Sequence, residues 1–187
     1  MAAHAAANWK AFSSAGLRNE LRKPDSGRGE PYDWYTWYTH MTATASAIHT
    51  AAPDALIFFG GLDYDTTISP IPLGSALTSG SKSTTFNPST LPYSNRIVLE
   101  LHRYDNDAKD ESCSSLESKL MSAGYTSIDP ANTKVKFHFP MVLTEWGLAQ
   151  DGKAFSATTY NKCLIEFMGK WKPSGWIQWD LAGELLC

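Results

Sequence analysis

Ala55-Leu56-Ile57-Phe58-Phe59-Gly60-Gly61 decides the fold class of this 187-residue chain. Five apolar residues in a row, without alternation, suit a strand covered on both faces, as in a parallel sheet, and the glycine pair ends it. Just upstream, Trp34, Trp37, Tyr38, Met41, Ala45 and Ile48 recur at three- and four-residue steps before Pro53, so a helix is expected from Trp34 to Ala52. The same alternation continues outward in both directions. An Ala-rich helix is expected up to about Phe12, then a strand from Ser13 to Arg18. Downstream come a strand from Arg96 to Leu101, a helix from Ser114 to Ala123 closed by Gly124, a strand from Phe139 to Leu143, a helix from Ser156 to Lys170 and a strand from Trp176 to Trp179. The five strand candidates centre near Leu17, Phe58, Leu99, Leu143 and Ile177. Strand and helix in alternation predict a parallel sheet with crossover helices.

Two segments fall outside this rhythm. Lys23 to Asp33 is rich in Gly, Pro and charge, and residues 62–95 are rich in Ser, Thr, Pro and Gly with little periodicity. A compact domain keeps so long a loop mainly for a purpose, such as walling a cleft. Strand and helix spacing fits an open doubly wound sheet or part of a barrel equally. No Gly-rich phosphate fingerprint follows any strand.

Composition narrows the function classes. A net charge of -3, with no Lys/Arg cluster among interleaved aromatics, argues against a nucleic-acid partner. No apolar stretch approaches the roughly 20 residues that cross a bilayer, so no membrane span is expected. Met1 to Lys10 lacks the basic head and greasy run of a secretory signal. Seven Trp and eight Tyr supply planar apolar faces of the kind on which sugar rings rest, although core packing accounts for most such residues. Of the three cysteines, Cys113 and Cys163 fall on successive expected helices; they either pair, in an oxidising compartment, or stay as two buried thiols. Cys187 is left over, and no Cys/His spacing suggests a zinc site.

Chemistry-bearing residues gather at the C-terminal ends of the expected strands, where α/β proteins build their sites. Glu20 follows Gly16-Leu17-Arg18-Asn19, and Glu145 follows Met141-Val142-Leu143-Thr144, ahead of Trp146-Gly147. A strand-ending glutamate needs a partner or a task, and two converging carboxylates can cleave a glycosidic bond, one as proton donor and one as nucleophile. His102 and Tyr104, two residues apart on one strand end, point to one side. Trp179 ends the last strand.

Taken in order, Leu-Arg-Asn-Glu (17–20), Glu-Leu-His-x-Tyr (100–104), Leu-Thr-Glu-Trp-Gly (143–147) and Trp-Ile-Gln-Trp (176–179) resemble the second half of glycoside hydrolase family 5, the cellulase-type (β/α)8 barrels. The resemblance covers essentially the whole chain. It implies an α/β fold that is an incomplete (β/α)8 TIM barrel, resembling strands 4 to 8 with their helices. Residues 1–187 would then form a single partial catalytic domain without the N-terminal strands and final helix. It further implies a retaining glycoside hydrolase of the endo-β-glucanase or β-mannanase type, with Glu20 as general acid/base and Glu145 as nucleophile. Asn19 would bind the substrate 2-hydroxyl, Tyr104 the nucleophile, His102 the same subsite, and Trp179 would lie under the sugar ring. The partner is a β-linked polysaccharide or oligosaccharide; no cofactor or metal is called for, a monomer is expected, and the family implies an extracellular location. The chain writes Asn19-Glu20-Leu21 where the family usually writes Asn-Glu-Pro, and it lacks the arginine and histidine that the first strands usually bring. The alternative reading is therefore a truncated, catalytically inactive family remnant or a non-catalytic carbohydrate-binding protein.

Overall fold

The computed structural model describes residues 1–25, 29–104, 112–148 and 158–179. Cys187, the expected start of a helix at Ser156 and the centre of the Lys23–Asp33 loop lie outside the described residues.

Five parallel strands form the main sheet: β1 (Ser14–Gly16), β2 (Leu56–Phe59), β5 (Ile97–Tyr104), β6 (Met141–Gly147) and β7 (Gly175–Gln178). Their spatial order is β1-β2-β5-β6-β7, so every strand lies beside the next main-sheet strand in the chain. A doubly wound sheet reverses its order at a switch point; this one never does, which is the winding of a barrel. The structure thereby resolves the choice that strand and helix spacing leaves open, in favour of an incomplete (β/α)8 barrel, with five strands of it among the described residues.

Helices α2 (Trp34–Ala51), α3 (Cys113–Ala123) and α4 (Thr159–Trp171) cover one face, while α1 (Ala2–Asn8) precedes β1. Each of the three starts where a side chain accepts an otherwise orphaned amide: Asp33 from Thr36 N–H at 2.9 Å, Ser112 from Ser115 at 3.2 Å and Thr158 from Asn161 at 3.2 Å. Alternation along the strands sends Ile57, Phe59, Ile97, Leu99, Leu101, Met141 and Leu143 into the core shared with Trp37, Met41, Leu116, Leu120, Leu164 and Phe167. The opposite face carries Val98, Glu100, His102 and Val142, all buried. A disulfide joins Cys113 of α3 to Cys163 of α4 across a 4.6 Å Cα–Cα distance, which decides between the two states open to these cysteines.

Residues 62–95 differ from the expected loop. They contain an antiparallel hairpin, β3 (Ala76–Ser79) and β4 (Lys82–Thr85), and bury Ile68, Ile71, Leu77, Phe86 and Tyr93 completely. The hairpin is hard to read because Leu77 is the lone large apolar residue in its eight strand positions, too little for a period of two to register.

Candidate active site

Glu20 enters the site four residues past β1 in a left-handed backbone conformation, φ 47°, a region that non-glycine residues occupy at a cost of roughly 1–2 kcal/mol. Two contacts hold it there. Its N–H donates to Oδ2 of Asp65 at 2.6 Å, and its Oε1 lies 3.2 Å from Nδ1 of His102. Arg22 approaches the other carboxylate oxygen at 3.8 Å, with its guanidinium 5.4 Å from the centre of the Tyr64 ring.

Glu145 reaches the same histidine through a break in the ladder. Leu101 pairs with Leu143, but the next pair is His102 with Glu145, so Thr144 is an extra residue on β6. Such a bulge re-aims the side chains beyond it. Glu145 Oε2 then lies 3.6 Å from His102 Nδ1, and Tyr104 donates its hydroxyl hydrogen to Oε1. Burial and the adjoining Glu145 carboxylate push the Tyr104 phenol above its ordinary range, so it remains a donor. Tyr104 faces Gly147 in register, and a side chain at Gly147 would collide with the Tyr104 ring and with the Trp179 carbonyl.

One atom each from Glu20, His102 and Glu145 lie within 4.8 Å of one another. These three groups could also take a divalent cation, since carboxylate oxygens and an imidazole nitrogen suit several metals.

Of the residues expected at the site, Glu20, His102, Tyr104 and Glu145 come together through direct contacts. Asn19 is exposed beside Glu20. Trp179 lies one residue past β7, 59% exposed, with its N–H donating to the Trp146 carbonyl at 2.9 Å. Thus its indole is open to solvent next to the strand that bears Glu145. Two buried carboxyls escaped the sequence reading. Glu100, two residues before His102 on β5, is raised by burial and by Glu145, with Thr144 and His102 opposing. Asp65 is fully buried and pushed up to about 7 by desolvation, with Glu100 and Glu20 adding to the rise and the Glu20 amide and His102 opposing it. Its position past Phe59-Gly60-Gly61, at the end of the one strand from which no site residue was drawn, is the signal that could have found it.

The family model for cellulase, glycosyl hydrolase family 5, matches residues 13–184. A glycosyl hydrolase 5 family protein of Chamaecyparis obtusa is 25% identical over 174 residues, which span 90% of this chain and 27% of that protein. Among solved structures, a β-glucanase of Saccharophagus degradans superimposes with a TM-score of 0.63 at 17% identity, covering 92% of this chain and 46% of that one. The catalytic domain of a Thermobifida fusca endoglucanase gives 0.53 at 16% identity, covering 96% and 47%. The chain therefore spans about a quarter of the curated relative and about half of each solved chain. The family match across nearly all of its residues and the barrel winding agree: the chain belongs to glycosyl hydrolase family 5.

Proposed function

We propose that this chain is a catalytic part of a retaining glycoside hydrolase acting on β-linked glucans or mannans. The observation that carries the reading is the convergence of Glu20 and Glu145, from the ends of separate strands, on the same nitrogen of His102, Nδ1, with one atom of each of the three groups inside 4.8 Å of the others. Retaining enzymes hold their carboxyls roughly 5–5.5 Å apart, whereas inverting enzymes need roughly 6.5–9.5 Å to admit a water. The short separation supports direct attack by one carboxylate.

In this mechanism Glu145 attacks the anomeric carbon while Glu20 donates its proton to the departing glycosidic oxygen. The C–O bond breaks and a glycosyl ester forms on Glu145. Glu20, now a carboxylate, takes a proton from water, which releases the sugar with its original anomeric configuration. Tyr104 fixes the nucleophile by its hydrogen bond, His102 spaces the two carboxylates, and Asn19 binds the 2-hydroxyl. Trp179 offers an exposed indole face for a sugar ring. The β-glucanase of Saccharophagus degradans has been solved in complex with cellotetraose, which supports a β-glucan among the substrates.

A second reading has its own support. The described sheet has five strands, so β1 and β7 each have an unpaired edge, and Trp176 and Ile177 on β7 are 60% and 59% exposed. A non-catalytic, sugar-binding remnant of the family accords with that. Proton NMR of the first sugar released from soluble β-glucan separates the readings: retention is expected, inversion contradicts the two-glutamate roles, and no release favours the remnant.

A further inference from the structure

The segment from Leu62 to Thr67 is a tight loop closed by the Leu62 N–H to Thr67 carbonyl bond at 3.1 Å. Inside it Asp63, Tyr64 and Asp65 all have left-handed backbones, with φ of 51°, 61° and 56°. Three consecutive non-glycine residues in that region are not held by their own preferences; the surroundings must fix them. What the strained loop delivers is Asp65, and Asp65 touches two site residues at once. Its Oδ2 accepts the Glu20 amide at 2.6 Å and lies 4.0 Å from His102 Nε2, while its backbone carbonyl accepts the His102 amide at 2.9 Å. That last bond falls at the ladder break between Leu101 and His102.

The space for this carboxyl is reserved from behind. A Cβ on Gly60 would come within 2.5 Å of Asp65 Oδ1, so the position tolerates only glycine while Asp65 is seated. The Gly60 carbonyl is in turn fixed by Trp37 Nε1 at 2.9 Å. Asp65 Oδ1 has no hydrogen-bond partner among the described residues, although the group is fully buried. Burying a carboxyl with one oxygen unsatisfied is costly, and stability alone gives no reason to keep it.

We infer that Asp65 is a positioning residue that sets the backbone of Glu20 and the seat of His102, so that the Glu20 carboxyl meets the departing oxygen. The inference rests on the acid/base role given to Glu20. Asp65 acts through Glu20, and its effect must therefore follow the need for proton donation. A 2,4-dinitrophenyl leaving group departs as a stable anion and takes no proton; a phenyl leaving group requires one. Misplacing a catalytic group by about 1 Å costs on the order of 100-fold.

The test uses the full chain, its Asp65→Ala variant and its Asp65→Asn variant, which keeps an acceptor oxygen. On phenyl β-cellobioside Asp65→Ala should lose about 100-fold in kcat/KM, which reports formation of the glycosyl ester alone, on the dinitrophenyl analogue only a few-fold, and Asp65→Asn should recover most of the loss. Amide NMR provides a readout that needs no turnover. Above pH 7, where Asp65 is a carboxylate, the Glu20 amide proton, shifted downfield by the short bond to it, should move upfield in Asp65→Asn and further in Asp65→Ala. An unmoved Glu20 amide, or equal losses with both leaving groups, overturns the inference. Absence of any turnover by the wild type counts against the glycosidase reading, while the amide shift still decides the role of Asp65.

Discussion

His102 stands opposite Glu145 on the neighbouring strand because β6 carries one residue more than β5 beyond the Leu101–Leu143 pair. In an unbroken ladder Thr144 would fill that place, and a slip of one residue reverses which face a side chain occupies. The bulge therefore lets Glu145 share the site of His102 and Tyr104 while Leu143 stays in the core.

The Tyr104 hydroxyl is the direct anchor of Glu145 in this arrangement. Hydrogen bonds to charged groups are worth about 1.5–3 kcal/mol. Tyr104→Phe, which keeps the ring, should lower kcat by roughly 10- to 100-fold and the melting temperature by only several degrees. Steady-state kinetics on a soluble β-glucan check this; wild-type rates would mean that the bond does not orient the nucleophile.

The Cys113–Cys163 bridge closes a sequence separation of 50 residues between α3 and α4. In the chain-entropy model, closing a loop of that size stabilises by about 4 kcal/mol. The Cys113→Ser, Cys163→Ser double variant should therefore melt roughly 10 °C below wild type. Calorimetry of both proteins, each with and without reductant, tests this, and reductant should lower wild type alone.

Asp65 holds its proton up to about 7 in the folded protein, against 3.8 for the ordinary side chain. Between those values the folded chain binds more protons than the unfolded one, so this group's contribution is complete below about pH 4 and is lost as pH rises through about 7. Glu100, also raised by burial, acts in the same direction. Asp33, lowered by hydrogen bonds from Ser79 and Thr36 that outweigh desolvation, and Glu117, lowered by bonds from Lys170 and Trp171, contribute oppositely, losing stability as pH falls. Asp65→Asn removes the first effect alone. Its melting temperature should gain on wild type from pH 4 to 7; parallel curves contradict the assignment.

The parts legible in the sequence were those with a repeating signal. The alternation of strand and helix signals, clearest in the apolar run from Ala55 to Phe59, located all five main strands, and Trp37, Met41 and Ala45 marked the buried face of α2. The strand-end glutamates could be read because a carboxylate after an apolar run is out of place. Strand limits were less visible: β5 runs on to Tyr104 and β6 to Gly147, since the ladder continues through the polar residues that seemed to end it. Asp65 was hidden for a different reason. It lies six residues past Phe59 in a loop without periodicity, and its approach to Glu20 depends on three left-handed residues that no local pattern announces. The bulge at Thr144 was equally silent, because an added residue in one strand shows only against its partner.

In the proposed mechanism Glu145 forms a covalent bond to the sugar. Incubation of the chain with 2,4-dinitrophenyl 2-deoxy-2-fluoro-β-cellobioside, whose fluorine slows breakdown of the glycosyl ester, followed by peptide mass spectrometry, tests it most directly. One fluorosugar adduct is expected, carried by Glu145 in the Met141–Gly147 segment and absent from Glu145→Gln. An adduct on Glu20 or elsewhere, or an unlabelled protein after dinitrophenolate release, would contradict it.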